Sequence, residues 1–541
     1  MDPRFGLFLP VFAAISAGSA LAQTQPAPVS LAPPKPEPAA TAKPPMPAVK
    51  PMPVKAVGPE PAVTAKPPMP AFKPMPVKAA KPDGMKPSSD PKLVKSNVPR
   101  TLNEALAATY SNQPALQAER AKLRATDENV PAALAGWRPQ VQFSATGGYG
   151  DGLSRSYSFL SHSNVKTPTT RLLGTATTQI SQTIYNGGKT QANINRAKNQ
   201  VMSERALLIA QEQTSFTATV NAYVSVIQAS QQLDLNRNNE IVLSKQLQAT
   251  NDRFRVGEIT RTDVAQAEAA LAGARAQRQN SEGQLETARG VFRQIVGVMP
   301  PADLIPPQPL ALPLKSETEA IAMASNNNPQ VIAAQFADAA AKDAIDVALA
   351  QLMPQVSLQG QAFQQNNAAA WGTQANGYQV TAQLTVPLYQ GGTEYAAVRQ
   401  SRQQQQQTER TLDDARRTAV QNAVQAWETL TSARAAADST RAQIRANEIA
   451  LEGVEREAIV GSRTTLDVLN AQQQLLTSRT TLVQALAQLV NASYAVAAAI
   501  GRLTAKDMHL PVPLYDETAY YNIVRDKWTG LGDYATNQPG R

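Results

Sequence analysis

The sequence predicts an internally duplicated α+β chain, in which very long helices carry four short, two-faced β-strands. Three observations predict this: two stretches repeat one another, the segments after each strand pair run for over a hundred residues without proline, and the strands alternate apolar residues with Gln, Ser and Thr. Asn112-Gln113-Pro114 returns as Asn327-Asn328-Pro329, and Arg138-Pro139-Gln140-Val141 as Met353-Pro354-Gln355-Val356, both 215 residues on. Tyr185-Asn186-Gly187-Gly188 returns as Tyr389-Gln390-Gly391-Gly392, and Val256-Gly257 as Val460-Gly461, 204 residues on. Self-similarity of this kind marks a repeated structural unit. The 11-residue change of offset falls in the polar intervals 150–168 and 366–375, which read as surface loops between strands.

The chain opens MDPRFGLFLPVFAAISAGSALAQ, with Arg4, an apolar run and Ala20-Leu21-Ala22. That is the plan of a secretory signal over residues 1–22, with cleavage expected after Ala22. Residues 23–100 hold 22 of the 40 prolines, and TAKPPMPAVKPMPVKA (41–56) returns as TAKPPMPAFKPMPVKA (64–79). Such a Pro/Lys mixture cannot bury a core and predicts an extended arm, either a solvated spacer or a basic contact to cell wall or anionic headgroups. Residues 31–100 carry a net +8 of the chain's +9. The helical body is therefore near neutral, which excludes a nucleic-acid-binding body. No cysteine is present, so disulfides and thiolate metal sites are excluded.

Each half (101–300 and 316–502, joined by a linker at 301–315) then reads helix, strand, loop, strand, long helix, turn, helix. In the first half the spans are 101–136, 139–149, 169–185, 188–256 and 262–298. A 69-residue helix is about 100 Å long, and the two shorter ones sum to about 110 Å. The simplest packing stacks the short helices end to end beside the long one. Leu469, Leu476, Val483 and Val490 form one seven-residue series, and Leu475, Leu482, Leu489 and Val496 a second. Two seams let one helix touch a neighbour on each side, as in a ring of helices; a broad core-facing stripe in a bundle would use the same residues. Residues 503–541 read as a tail that wraps the mid-zone or stays disordered.

The strands decide the environment. Val141, Phe143 and Ala145, then Ala176, Ile180 and Ile184, then Val356 and Leu358, and the series Tyr378 to Leu388 each present an apolar face opposite a Gln/Ser/Thr face. Helices that run onward for about 100 Å are poorly placed to fold back over the apolar faces, whereas a lipid-facing barrel wall with a wet lumen satisfies them. No later segment offers 18 consecutive apolar residues for a membrane helix. Four strands cannot close a membrane barrel, so it must be shared in a homo-oligomer of two, three or four copies.

At this point the chain resembles the TolC-type outer-membrane efflux proteins. The resemblance covers about residues 100–510. It rests on the duplication, the PQV strand entries, the strand exits TIYNGGK and VPLYQGGT, and the turns FRVGEITRTDVAQA and AIVGSRTTLDVLNA. It implies a homotrimer in the outer membrane of a Gram-negative bacterium, with a 12-stranded β-barrel continuous with a periplasmic α-barrel tunnel. It also implies a passive exit duct for multidrug efflux or type I secretion, docked to a periplasmic adaptor and an inner-membrane pump of RND or ABC type. The Pro/Lys arm is not part of the family pattern.

The two helix-tip turns are the candidate site. Val256-Gly257 and Val460-Gly461 end the long helices as left-handed caps, and the resemblance makes them docking positions. Thr260-x-x-Asp263 and Thr464-x-x-Asp467 open the next helices as capping boxes with Asp in place of Glu. By resemblance, Arg463 and Asp467 are gate members, with Thr262 and Asp263 across the interface; where relatives carry a second acid, this chain has Asn470. His162 and His509 lie far apart and support no metal site. No constellation points to catalysis or a cofactor. The rival reading is an exported coiled-coil scaffold or adhesin without channel activity.

Overall fold

A computed structural model describes residues 99–541 except 169, 313, 315, 369, 370, 533 and 535–541. The expected signal and nearly all of the expected arm lie outside the described residues. In chain order the elements are helices α1 (Leu102–Asn112), α2 (Pro114–Asp127) and α3 (Asn129–Leu134), then strands β1 (Gln140–Gly150), β2 (Leu153–Ser158), β3 (Ser163–Pro168) and β4 (Arg171–Asn186). The long helix α4 (Lys189–Arg255) and its return α5 (Arg261–Val296) complete the first half. The second half runs α6 (Glu317–Asn327), α7 (Pro329–Leu349), β5 (Gln355–Asn366), β6 (Gln374–Thr385), α8 (Thr393–Ile459) and α9 (Thr465–Ala499). A short α10 (Ala519–Val524) lies in the tail.

The helix expected over 101–136 is broken. Pro114 has no N–H to donate and pushes the residue before it out of helical geometry; Gln113 accordingly sits at φ −66°, ψ 117°. The second half breaks at the same place, where Asn328 (φ −65°, ψ 126°) precedes Pro329. The repeated Asn-x-Pro motif is thus a helix joint, and each joint receives the end of another helix. Gly501, left-handed at φ +80°, lies so close that a Cβ would sit 2.4 Å from the Asn327 carbonyl oxygen, and the Asn328 side-chain Nδ2 donates to the Ala499 carbonyl at 3.2 Å. In the first half Gly297 (φ +89°) faces Asn112 more loosely, where a Cβ would sit 3.9 Å from the Asn112 Cβ. So α5 continues α2 beside α4, and α9 continues α7 beside α8, the end-to-end stacking that the helix lengths require.

The main core lies at these joints. Leu106, Leu116 and Leu123 pack there with Phe216, Tyr223, Phe292, Val296 and Tyr494. The Tyr223 hydroxyl lies 2.7 Å from the Arg100 carbonyl and 2.8 Å from the Ile305 carbonyl, so its one proton serves whichever of the two it points to, tying the chain's entry to the linker between halves. The second joint adds a small cluster of Ala324, Ala423 and Ala499, and away from the joints the rods meet through clusters such as Leu243, Leu271 and Ala274. Both leucine seams of α9 find partners: Leu469 packs on Leu243, Leu271 and Ala274 of the α4–α5 hairpin, while Leu489 and Val496 pack on Leu430 of α8. By length and composition α9 could cross a membrane, but its buried residues Val490, Tyr494 and Val496 belong to these helix–helix cores.

The tail is ordered through most of its length. Leu503, Ala505 and Leu510 join the main core, and the Tyr515 amide donates to the Tyr110 hydroxyl at 3.0 Å. Further on, Arg138 at the base of β1 donates to the Lys527 carbonyl and lies 4.9 Å from the Trp528 ring centroid. The tail therefore runs from the joint region to the foot of the sheet.

The sheet has the order β1-β4-β5-β6, antiparallel throughout, so the two halves of the duplication join at β4–β5. Its apolar residues share one face, with Val141 opposite Ile180 and Val356 opposite Leu384. One assignment changes. A bulge between Thr183 and Tyr185 leaves Ile184 unpaired and sets Tyr185 opposite Val356, because an extra residue in one strand inverts the facing beyond it. The interval 150–168, expected as a loop, forms the β2–β3 hairpin instead.

Duct wall and helix tips as the candidate functional site

The opposite face of the sheet is a ladder of uncharged polar side chains. Gln142 faces Gln179, Gln179 faces Gln361, and Gln361 faces Gln379 across all four strands. Gln379 donates to Gln361 at 2.8 Å, Gln359 donates to Gln383 at 2.9 Å, and the Thr146 and Thr175 hydroxyls are bonded. Along β5 the polar-face residues Ser357, Gln359, Gln361, Phe363 and Gln365 are half-buried, while Leu358, Ala362, Gln364 and Asn366 are exposed. Phe363 is the exception there; its ring covers Gly377, where a Cβ would lie 3.2 Å from the ring. The apolar face is bare: Val141, Phe143, Tyr378 and Val380 are each at least two-thirds exposed. Among the described residues β1 and β6 are unpaired edges, which a protein must cover or pair.

At the far end of the helices the two tips are near copies. Val256 ends α4 and Gly257 turns left-handed at φ +80°. The Gly257 amide donates to the Phe254 carbonyl and the Glu258 amide to the Arg253 carbonyl, both at 3.0 Å, which is the Schellman pattern. Gly461 (φ +81°) and Ser462 repeat it on Ala458 and Glu457. Among the described residues nothing lies within 4 Å of a Cβ placed on either glycine, so both are required by backbone conformation. Val256, Ile459 and Val460 are more than three-quarters exposed and give each tip an apolar cap.

The two aspartates act as helix caps within one protomer. Asp467 Oδ2 accepts from the Thr464 amide (3.0 Å) and hydroxyl (2.9 Å), and the Asp467 amide donates back to Thr464 Oγ1 at 3.3 Å. Asp263 and Thr260 make the same box. These hydrogen bonds, from the Thr464 backbone first, hold the Asp467 carboxyl below the usual carboxylate range, with Arg463 adding to the effect. The Thr260 hydroxyl and amide do the same for Asp263. Arg463 turns back along its own hairpin and pairs with Glu457 at 2.9 Å, a partner the motif reading did not include. Arg253 pairs with Glu258 at the first tip. Thr262 is exposed and carries no cap. Both missed acids flank the tip glycine, one or four residues away, so charge placement around the turn could have found them.

The family model described as outer membrane efflux protein matches residues 105–298 and 320–502, the two halves of the duplication separately. The outer membrane efflux protein BepC of Brucella suis biovar 1 (strain 1330) is 36% identical over 437 residues, covering 80% of this chain and 92% of that protein. Outer membrane protein TolC of Vibrio cholerae is 25% identical over 417 residues, covering 75% of this chain and 92% of the relative. Among solved structures, CusC aligns at a TM-score of 0.65 and 15% identity over 74% of this chain and 91% of its own. VceC from Vibrio cholerae aligns at 0.63 and 19% over 74% and 96%; at these identities the likeness is one of fold. With both repeats matched and a paired, two-faced sheet set on long capped hairpins, the chain belongs to the outer membrane efflux protein family.

Proposed function

We propose that this chain forms the outer-membrane exit duct of an efflux or secretion machine, as a homotrimer. Three copies of the four-stranded sheet supply 12 strands, and pairing β6 of one protomer with β1 of the next removes every open edge. The apolar face meets outer-membrane lipid and the Gln/Thr face lines a wet, uncharged lumen. Such a wall discriminates little between solutes, so selectivity falls to an inner-membrane pump of RND or ABC type and its periplasmic adaptor. Two relatives illustrate the range: BepC is described by efflux, and AprF of Pseudomonas aeruginosa by alkaline protease secretion. Residues 1–22 are the export signal in this reading.

The supporting observation for a gate is the tip geometry. Arg463 and Glu457 are exposed and Asp467 is half-buried, each only partly satisfied within one protomer, so Arg463 can exchange Glu457 for a neighbour's carboxylate. Opening separates those contacts when a partner docks on the apolar tip residues Val256 and Val460, with Thr262 and Asp263 on the facing hairpin. Planar-bilayer recordings of wild type, Arg463→Ala and Asp467→Ala test this. Small wild-type openings that widen in either variant are expected; unchanged openings reduce both residues to structural roles.

The arm of residues 23–98 is proposed as a cationic contact to the cell wall. Its root is held at mid-tunnel height, since Tyr223, which binds the Arg100 carbonyl, lies about 50 Å from either end of α4 at 1.5 Å per residue. Co-sedimentation with purified sacculi is expected for the full chain and lost on deleting 23–98.

A further inference from the structure

The barrel wall is nearly free of charge. No charged residue lies between 355 and 388, and between 140 and 186 the only ones are Asp151, Arg155, Lys166 and Arg171. Arg171 shares the polar-face parity of Thr175 and donates to the Ala368 carbonyl at 3.0 Å. Asp151 accepts from the Thr170 hydroxyl. Arg155 and Lys166 are exposed, and neither side chain makes an ion pair or hydrogen bond among the described residues.

The pairing places these two cations. β1 and β4 end with Gly150 opposite Arg171, and β2 and β3 begin with Leu153 opposite Pro168 in the same register. The β2–β3 hairpin is therefore a prolongation of the β1–β4 ladder. Facing carries through it: the outward series Val141, Phe143, Ala145 and Tyr149 continues as Leu153, Arg155 and Tyr157. Within the hairpin Arg155 stands directly opposite Lys166. Like charges set opposite one another in an antiparallel pair are destabilising, and no carboxylate is paired with either.

Height selects the partner. At about 3.3 Å per residue and a tilt near 40°, Arg155 stands roughly 35 Å above Val141 along the barrel axis. An apolar band of about 25 Å that starts at Val141 ends between Tyr149 and Leu153. The two cations then sit about 10 Å above it, within reach of the headgroup layer for side chains that extend along the wall.

We propose that Arg155 and Lys166 form a seat for phosphate groups of an outer-leaflet lipid, continuous with the lipid-facing wall of the barrel. Opposed Cβ atoms about 5 Å apart let a guanidinium and an ammonium converge on one phosphate, and the anion between them relieves their repulsion. The seat rests on the outer-membrane barrel reading, and a trimer presents three of them.

Native mass spectrometry of detergent-solubilised trimers titrated with bis-phosphorylated lipid A, and with its dephosphorylated form, tests the seat. Wild type binds lipid A in preference to the dephosphorylated lipid, Arg155→Gln/Lys166→Gln weakens binding about tenfold or more, and Arg155→Lys retains it. Binding that is equal in the double variant, equal without phosphates, or displaced by matching concentrations of inorganic phosphate overturns the proposal. The spectrum itself reports trimer assembly, and the two single variants carry the test if the double variant fails to assemble. Failure of wild-type trimers to insert into vesicles would overturn the barrel reading instead, which separates the two.

Discussion

Asp127 lies at the end of α2 beneath the C-terminal tail. It is fully buried, and neither carboxylate oxygen has a hydrogen-bond partner among the described residues. Arg124 and Glu128 face it from its own helix and the following turn, Arg205 from α4, and Glu517 from the tail. Burial pushes its carboxyl up to about 7, the two guanidiniums opposing that only in part. A carboxyl whose folded-state pKa is raised favours the docked state most below its unfolded value near 3.8, and that contribution is lost as pH rises through 7. Taken at face value the shift corresponds to about 4 kcal/mol; screening by the neighbouring charges and water reduces it to about 1–2 kcal/mol. Glu212, which accepts from the Ala505 amide of the tail, is also raised to about 7 by burial and has the same sign. Asp127→Asn is therefore expected to strengthen tail docking by about 1–2 kcal/mol at pH 8, by a smaller part of that at pH 5, and not at all below the unfolded value near 3.8. The chain has no cysteine, so Leu531→Cys, fully exposed, takes a single environment-sensitive dye. Urea midpoints for tail release at the two pH values give the difference. A variant that keeps the whole wild-type pH slope refutes the argument; one that keeps part of it assigns the remainder to Glu212, which Glu212→Gln then removes.

Other outcomes follow from the same geometry. Phe292, fully buried beside Tyr223 with ring centroids 6.2 Å apart, is expected to cost about 3–5 kcal/mol on truncation to Ala, read as a lower melting temperature of the detergent-solubilised protein. Gly501→Ala meets the Asn327 carbonyl and should sharply reduce folded yield, whereas Gly461→Ala meets nothing and should cost only about 1–2 kcal/mol for its left-handed backbone. Thr464→Ala removes the hydroxyl of the cap at the second tip and is expected to cost about 1 kcal/mol. Hydrogen exchange confined to the first turns of α9 checks it, and protection unchanged there would contradict the cap.

Legibility followed the range of the interaction. The tip turns were readable to the residue, because a left-handed glycine and a Thr-x-x-Asp box act within six residues. The strand faces were readable because alternation is a local period, and α9's two seams each met the neighbour that a ring of helices requires. The helix joint was also present, in the repeated Asn-x-Pro, but was read as a mark of duplication when the proline's missing N–H already called for a break. The β2–β3 hairpin was hidden by its composition: Ser supplies five of the residues between Leu153 and Pro168, and its strandedness comes from extending a ladder already formed below.

Local patterns determined the duplication, the rods, the caps, the two-faced strands and the need for a shared barrel, since each follows from periods and turn chemistry carried by neighbouring residues. Tertiary structure alone decided that the halves join at β4–β5, that the tail threads into the core beside Tyr110, and that Tyr223 clamps Arg100 to Ile305. It also decided that Arg463 folds back on Glu457 and that Arg155 stands against Lys166. These depend on which of many chemically similar groups is brought near by the packing of distant segments, and no period in the chain records that.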